Sequence, residues 1–174
     1  MKSIREQNGF SLIELLIVVA IILIIAAIAI PNLMRARMAA NDASAAGSIH
    51  AINVGEAAYF GAYQSSIGFP ATLIPLGGAP PCSPNLVTAC LIDNTIATNG
   101  GGVGKSGFSF AATGFSTIGV TNNEFYATAT PNSNLSGTRA YCSSDDMVVR
   151  LQPSGVVTLV GSYASCQALT PMNN

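Results

Sequence analysis

Glu14 is the one carboxylate inside the run GFSLIELLIVVAIILIIAAIAIP, Gly9 to Pro31. An ionised carboxylate at the centre of a lipid-buried helix costs about 2.5 to 3.5 kcal/mol, less near an end where it snorkels. Such a group calls for a cation, or for the positive end of a helix dipole. Other reactive groups are few. Cys82, Cys90, Cys142 and Cys166 include no CxxC pair and no histidine cluster, which argues against zinc and for disulfides in an oxidising compartment. They allow three pairings, of which Cys82 with Cys90 and Cys142 with Cys166 closes the shortest loops. His50, the single histidine, has no ligand or catalytic partner at useful spacing and reads as a surface or subunit-contact residue.

Four further motifs carry little. NGGGVGKS, Asn99 to Ser106, resembles a phosphate loop, yet Asn99 stands where the first glycine is needed and a strand-like stretch follows instead of a helix. Asp145 and Asp146 point to opposite faces of a strand and read as a solvated turn rather than a cation site. Asn134-Leu135-Ser136 is a short glycosylation pattern of the kind that arises by chance. Tyr59, Phe60 and Tyr63 at helical spacing read as core or interface residues. No nucleophile, base and orienting group can be named together, so the chain is expected to be no enzyme and to need neither metal nor cofactor.

Charged residues make up 9% of the 174 positions and the net charge is −1. From residue 65 onward, Lys105, Arg139 and Arg150 face Asp93, Glu124, Asp145 and Asp146, so no basic strip exists and nucleic acid is not an expected partner.

These groups need elements to position them. Between Phe10 and Ile30 only Ser11 and Glu14 are polar, and a helix of that length spans a hydrocarbon layer of about 30 Å. Ala26, Ala27 and Ala29 precede Pro31 without making a convincing A-x-A cleavage site, so removal after the run is not expected. The flank MKSIREQNG carries Lys2 and Arg5 against Glu6 and is expected to stay cytoplasmic, leaving the rest of the chain outside. Pro31 predicts a kink or local opening, with a plain helix stop as the other reading. Beyond it, small residues at Ala36, Ala40, Ala43 and Gly47 and an apolar stripe at Ile49, Ile52, Tyr59 and Tyr63 continue a helix to about Gln64. Gly47, Gly55 and Gly61 mark either breaks or close approaches. Residues 65–104 lack a period and read as an irregular loop held by Cys82 and Cys90. Residues 105–174 predict an antiparallel sheet, including a hairpin of MVVRL and VVTLV around QPSG.

Over about residues 1 to 40, GFSLIELLIVVAIILIIAAIAIP resembles the class III signal and first helix of type IV pilins and pseudopilins. The resemblance implies an α+β fold, a long amino-terminal helix packed by its second half on an antiparallel sheet head. It implies that residues 1–9 are a leader removed by a prepilin peptidase between Gly9 and Phe10, with N-methylation of Phe10. The new amine would pair with Glu14 of the same or a neighbouring subunit. Residues 10–31 would sit in inner-membrane lipid and then, with the pilus assembly machinery, in a homopolymer of identical subunits on the cell surface. Leu23 stands where many pilins have glycine. A type II secretion pseudopilin is the nearest alternative, although the tail RLQPSGVVTLVGSYASCQALTPMNN lacks the acidic calcium loop usual in major pseudopilins. A membrane-tethered binding module that does not polymerise is the alternative from another class.

Overall fold

The structure is a computed structural model that describes residues 10–117, 119 and 121–172. It forms two compact units that divide after Ala36.

The first unit holds the apolar part of the helix α1, which runs from Leu12 to Tyr63. An uninterrupted series of Leu, Ile, Val and Ala with few charges favours a helix whose every backbone group is satisfied internally, as lipid demands. Its side chains are exposed from Leu12 through Ile24. Pro31 lies inside α1 and does not end it. Its missing N–H is a local loss that the turns on either side survive.

In the second unit, the remainder of α1 contributes Ile49, Ile52 and Tyr59 to a core shared with a five-stranded sheet. The strands are β1 (Phe108–Phe115), β2 (Glu124–Pro131), β3 (Tyr141–Ser144), β4 (Arg150–Leu151) and β5 (Thr170–Pro171), antiparallel and in sequence order. Alternation puts Phe108 and Phe110 of β1, Phe125, Ala127 and Ala129 of β2, and Tyr141 of β3 on the core face. Phe69 bridges helix and sheet, stacking on Phe60 at 4.5 Å and meeting Phe125 at 4.7 Å.

On the opposite face of β3, Cys142 is buried with Val160 and Cys166, the last on the short helix α4 (Tyr163–Gln167). Cys142 and Cys166 are disulfide-bonded, with Cα atoms 5.9 Å apart. Cys82 and Cys90 form a second disulfide, Cα atoms 6.1 Å apart, in the connection between α1 and β1. That connection is less irregular than its composition indicates. It contains a 3-10 turn at Ile74–Leu76 and the short helices α2 (Asn94–Ala97) and α3 (Asn99–Gly102), with Leu76, Ile92 and Ile96 buried in the core.

The expected MVVRL–VVTLV hairpin does not form. The segment after β4 turns back on the chain before β3: Ala140 N–H donates to the Val156 carbonyl at 3.2 Å and Gly155 N–H to Thr138 at 2.7 Å. The place beside β4 is taken by Thr170–Pro171, which follow α4 and its disulfide. Long-range tethering thereby overrides the β-propensity of Val156 to Val160.

Candidate assembly site at the amino-terminal helix

Ser11 precedes the first helical residue, and Glu14 is the third residue of α1. The Glu14 side chain turns back so that Oε2 accepts the Ser11 backbone N–H at 3.0 Å. The Ser11 carbonyl accepts the first helical bond, from Leu15 N–H at 3.3 Å. Ser-Leu-Ile-Glu is therefore half of a capping box, in which a carboxylate satisfies a donor the helix leaves open. The negative charge also lies at the positive end of the dipole. The S-x-x-E spacing was the signal available in the sequence for this bond, hidden within an apolar run.

Phe10 is 82% exposed and Leu12 80% exposed. With Ile13, Leu15 and Leu16 they form an apolar sleeve around the one acidic group. An eighteen-residue window of α1 near its start is apolar enough to cross a membrane, with none of it buried within the chain. Gly9, on the other side of the Gly9–Phe10 bond, lies outside the described residues.

The other singled-out residues lie in the second unit. His50 is exposed on α1. Asp145 and Asp146 do form a turn after β3, Asp145 half-buried and Asp146 exposed, and both carboxylates are held: Tyr163 donates its hydroxyl to Asp145 at 2.7 Å, and Asp146 is ion-paired with Arg150. That pairing holds the Asp146 carboxyl down at about 2, mainly through the hydrogen bond from Arg150. Asn99 opens no phosphate loop. Its side-chain amide accepts from Phe110 N–H at 2.6 Å and donates to the Phe110 carbonyl at 2.5 Å, acting as a one-residue partner for the edge of β1. Among the described residues no three His, Cys, Asp or Glu side chains are grouped to hold a metal.

Two polar features escaped the sequence reading. Asp42, on α1, accepts from Thr138 N–H at 3.1 Å and from the Thr138 hydroxyl at 2.5 Å. Glu56 is fully buried on the same helix, neither oxygen partnered.

An exposed apolar helix begun by a carboxylate cap defines a chain with a helix long and apolar enough to cross a membrane. Residues 4–30 match the family model for the prokaryotic N-terminal methylation motif. Over 38 residues it is 66% identical to the type IV wide pilus major component PilA4 of Thermus thermophilus, a match covering 22% of this chain and 29% of that relative. No solved structure matches the chain.

Proposed function

We propose that the chain is the structural subunit of a type IV pilus. It enters the inner membrane as a precursor, is cleaved after Gly9 by a prepilin peptidase, is methylated on Phe10, and polymerises through α1 into a surface fibre. The carrying observation is the methylation motif over residues 4–30, whose Glu14 stands at the start of an exposed apolar helix. Cleavage converts the Phe10 amide nitrogen into a cationic amine four residues from that carboxylate. Lipid, and then a bundle of sister helices, tolerates the two charges only as a pair. Head-to-tail repetition of a contact that does not close gives an open helical fibre.

The pseudopilin reading is not favoured, because the relative that shares the amino-terminal segment is a pilus major component. Electron microscopy of sheared surface fibres, with amino-terminal sequencing of their main protein, tests the proposal. The expected sequence begins with methylated Phe10. An abundant form that keeps residues 1–9 and never enters a fibre sinks it.

A further inference from the structure

Glu56 has no place in assembly through the amino terminus. It lies on the buried stripe of α1 between Ile52 and Tyr59, is 0% exposed, and has no hydrogen-bond partner for either carboxylate oxygen. Two other buried polar atoms near that stripe are also unpartnered. Asn53 Oδ1, one turn before Glu56, accepts nothing, although the Asn53 amide donates to the Met147 carbonyl at 3.0 Å. Ser143 Oγ belongs to the core-facing row of β3, opposite Ala127.

Among the described residues, the groups packed around this stripe offer no positive charge. On α1 the titratable neighbours are Tyr59 and Tyr63, and on the core face of β3 it is Tyr141. The core face of β1 and β2 presents phenylalanine and alanine. Arg150 pairs in register with Cys142, so it belongs to the other face of the sheet, where Asp146 holds it. From the connection before β1, Leu76, Ile92 and Ile96 reach the core, while Asp93 stays outside with Lys105 at 3.4 Å. An ionised carboxylate in such a place is unpaired and desolvated, and it takes a proton instead.

We propose that Glu56 is a neutral carboxylic acid in the folded head and serves as a proton latch, holding the second half of α1 on the sheet while protonated and loosening it on ionisation. In the neutral state its O–H is a donor in a core where Asn53 Oδ1 is an unpartnered acceptor and the unpartnered Ser143 hydroxyl can accept as well as donate. Burial pushes its pKa from 4.5 up to about 8. A group raised in the folded state contributes its full stability below its unfolded value, and that contribution is lost as pH climbs through the folded value. The folding constant therefore falls by up to about tenfold per pH unit between the two pKa values and is level above them. This loosening, which develops as pH rises from 4.5 to about 8, is confined to the head and does not depend on how the fibre is built.

The test uses the full chain in detergent micelles. Infrared spectra of the wild type from about pH 6 to about pH 9 should show a protonated-carboxyl band that persists after the ordinary carboxylates have ionised and disappears with a midpoint near 8. The band should be missing in Glu56→Gln, and denaturant midpoints of that variant should lose the fall between 4.5 and about 8. No such band in the wild type at neutral pH overturns the proposal, as does the same pH slope in a folded Glu56→Gln. Should Glu56→Gln fail to fold, the wild-type band decides alone.

Discussion

Glu14 Oε2 accepts the backbone N–H of Ser11 at 3.0 Å, so the carboxylate that the assembly proposal pairs with Phe10 already caps the chain's own helix before any cleavage. Substitution can separate this cap from the proposed pairing with the Phe10 amine. Glutamine at the third helical position still reaches back to the cap N–H but brings no charge. Glu14→Gln should therefore leave leader removal and the helix start intact while fibres are lost. Glu14→Ala should lose the cap as well, at about 1 kcal/mol. Immunoblots of sheared fibres and of membranes separate the cases, and wild-type fibre yield from Glu14→Gln counts against charge pairing.

The bond of Asp42 to Thr138 fastens α1 to the chain leading into β3, with the hydroxyl at 2.5 Å and the N–H at 3.1 Å. Asp42 is only 8% exposed, so removal of either partner leaves the other desolvated. Asp42→Ala should cost about 1 to 3 kcal/mol in thermal or denaturant unfolding of the head. Thr138→Val should cost less, because the backbone donor remains. The double variant should cost less than the two singles added together; simple additivity would mean that the contact carries no energy.

Asp146 gives the acid side of the stability profile. Its carboxyl is lowered from 3.8 to about 2, first by the hydrogen bond from Arg150. A group depressed in the folded state stabilises above its unfolded value, and its contribution is lost as pH falls from 3.8 through about 2. With the Asp146 side chain 34% exposed, solvent screening limits the effect to about 1 kcal/mol or less. Asp146→Asn should flatten the profile in that window and leave the alkaline side unchanged, as read by denaturant midpoints across the acid range.

Much of this fold was readable because its signals were local and repeated. The apolar run and the stripe of Ile49, Ile52, Tyr59 and Tyr63 share a helical period, and α1 ends at Tyr63, one residue before the sequence expectation. The β1 and β2 strands coincide with the FSFAATGF and EFYATATP stretches. Contacts between distant residues were not readable. Val156 to Val160 have strand composition, but β5 at Thr170–Pro171 occupies the neighbouring place, a choice made by the Cys142–Cys166 tether. Asn99 resembled a failed phosphate loop because its true partner, Phe110, is recognised only once β1 exists as an exposed edge. At the assembly end the carboxylate was legible and its cap was not, since apolar periodicity dominates a window of that composition. Glu56 was passed over for a similar reason, as a single polar letter inside a helical stripe gives no sign of whether its face is covered.

The two disulfides should differ in access. Cys142 and Cys166 are both fully buried beneath Val160, whereas Cys82 and Cys90 are half-buried in the connection before β1. Mild reductant under native conditions, followed by alkylation and mass spectrometry of peptides, should label Cys82 and Cys90 first. Replacing Cys142 and Cys166 by serine opens the longer loop, with a sequence separation of 24 against 8. In the chain-entropy view that loop is worth about 3.5 kcal/mol, against about 2.6 for the shorter one. Equal labelling of all four cysteines at early times would contradict the burial argument.

Three glycines of α1 divide by what a methyl group would meet. The helix is unbroken at each, so none serves as a hinge within it. At Gly55 an added Cβ comes 2.7 Å from Ile92 Cγ2, and Ile92 is itself buried and stiff at χ1, so it has little room to retreat. Gly55 is therefore a close approach between α1 and the connection that carries Leu76 and Ile92. Gly55→Ala should destabilise the head by about 1 to 3 kcal/mol through overpacking, despite the better helix propensity of alanine. At Gly47 and Gly61 nothing within the chain lies within 4 Å of the added atom. There Gly→Ala should stabilise the monomeric chain by up to about 1 kcal/mol, because alanine loses less backbone entropy on folding. Thermal unfolding in micelles ranks the three variants, and a stabilising Gly55→Ala would refute the close packing of α1 against Ile92.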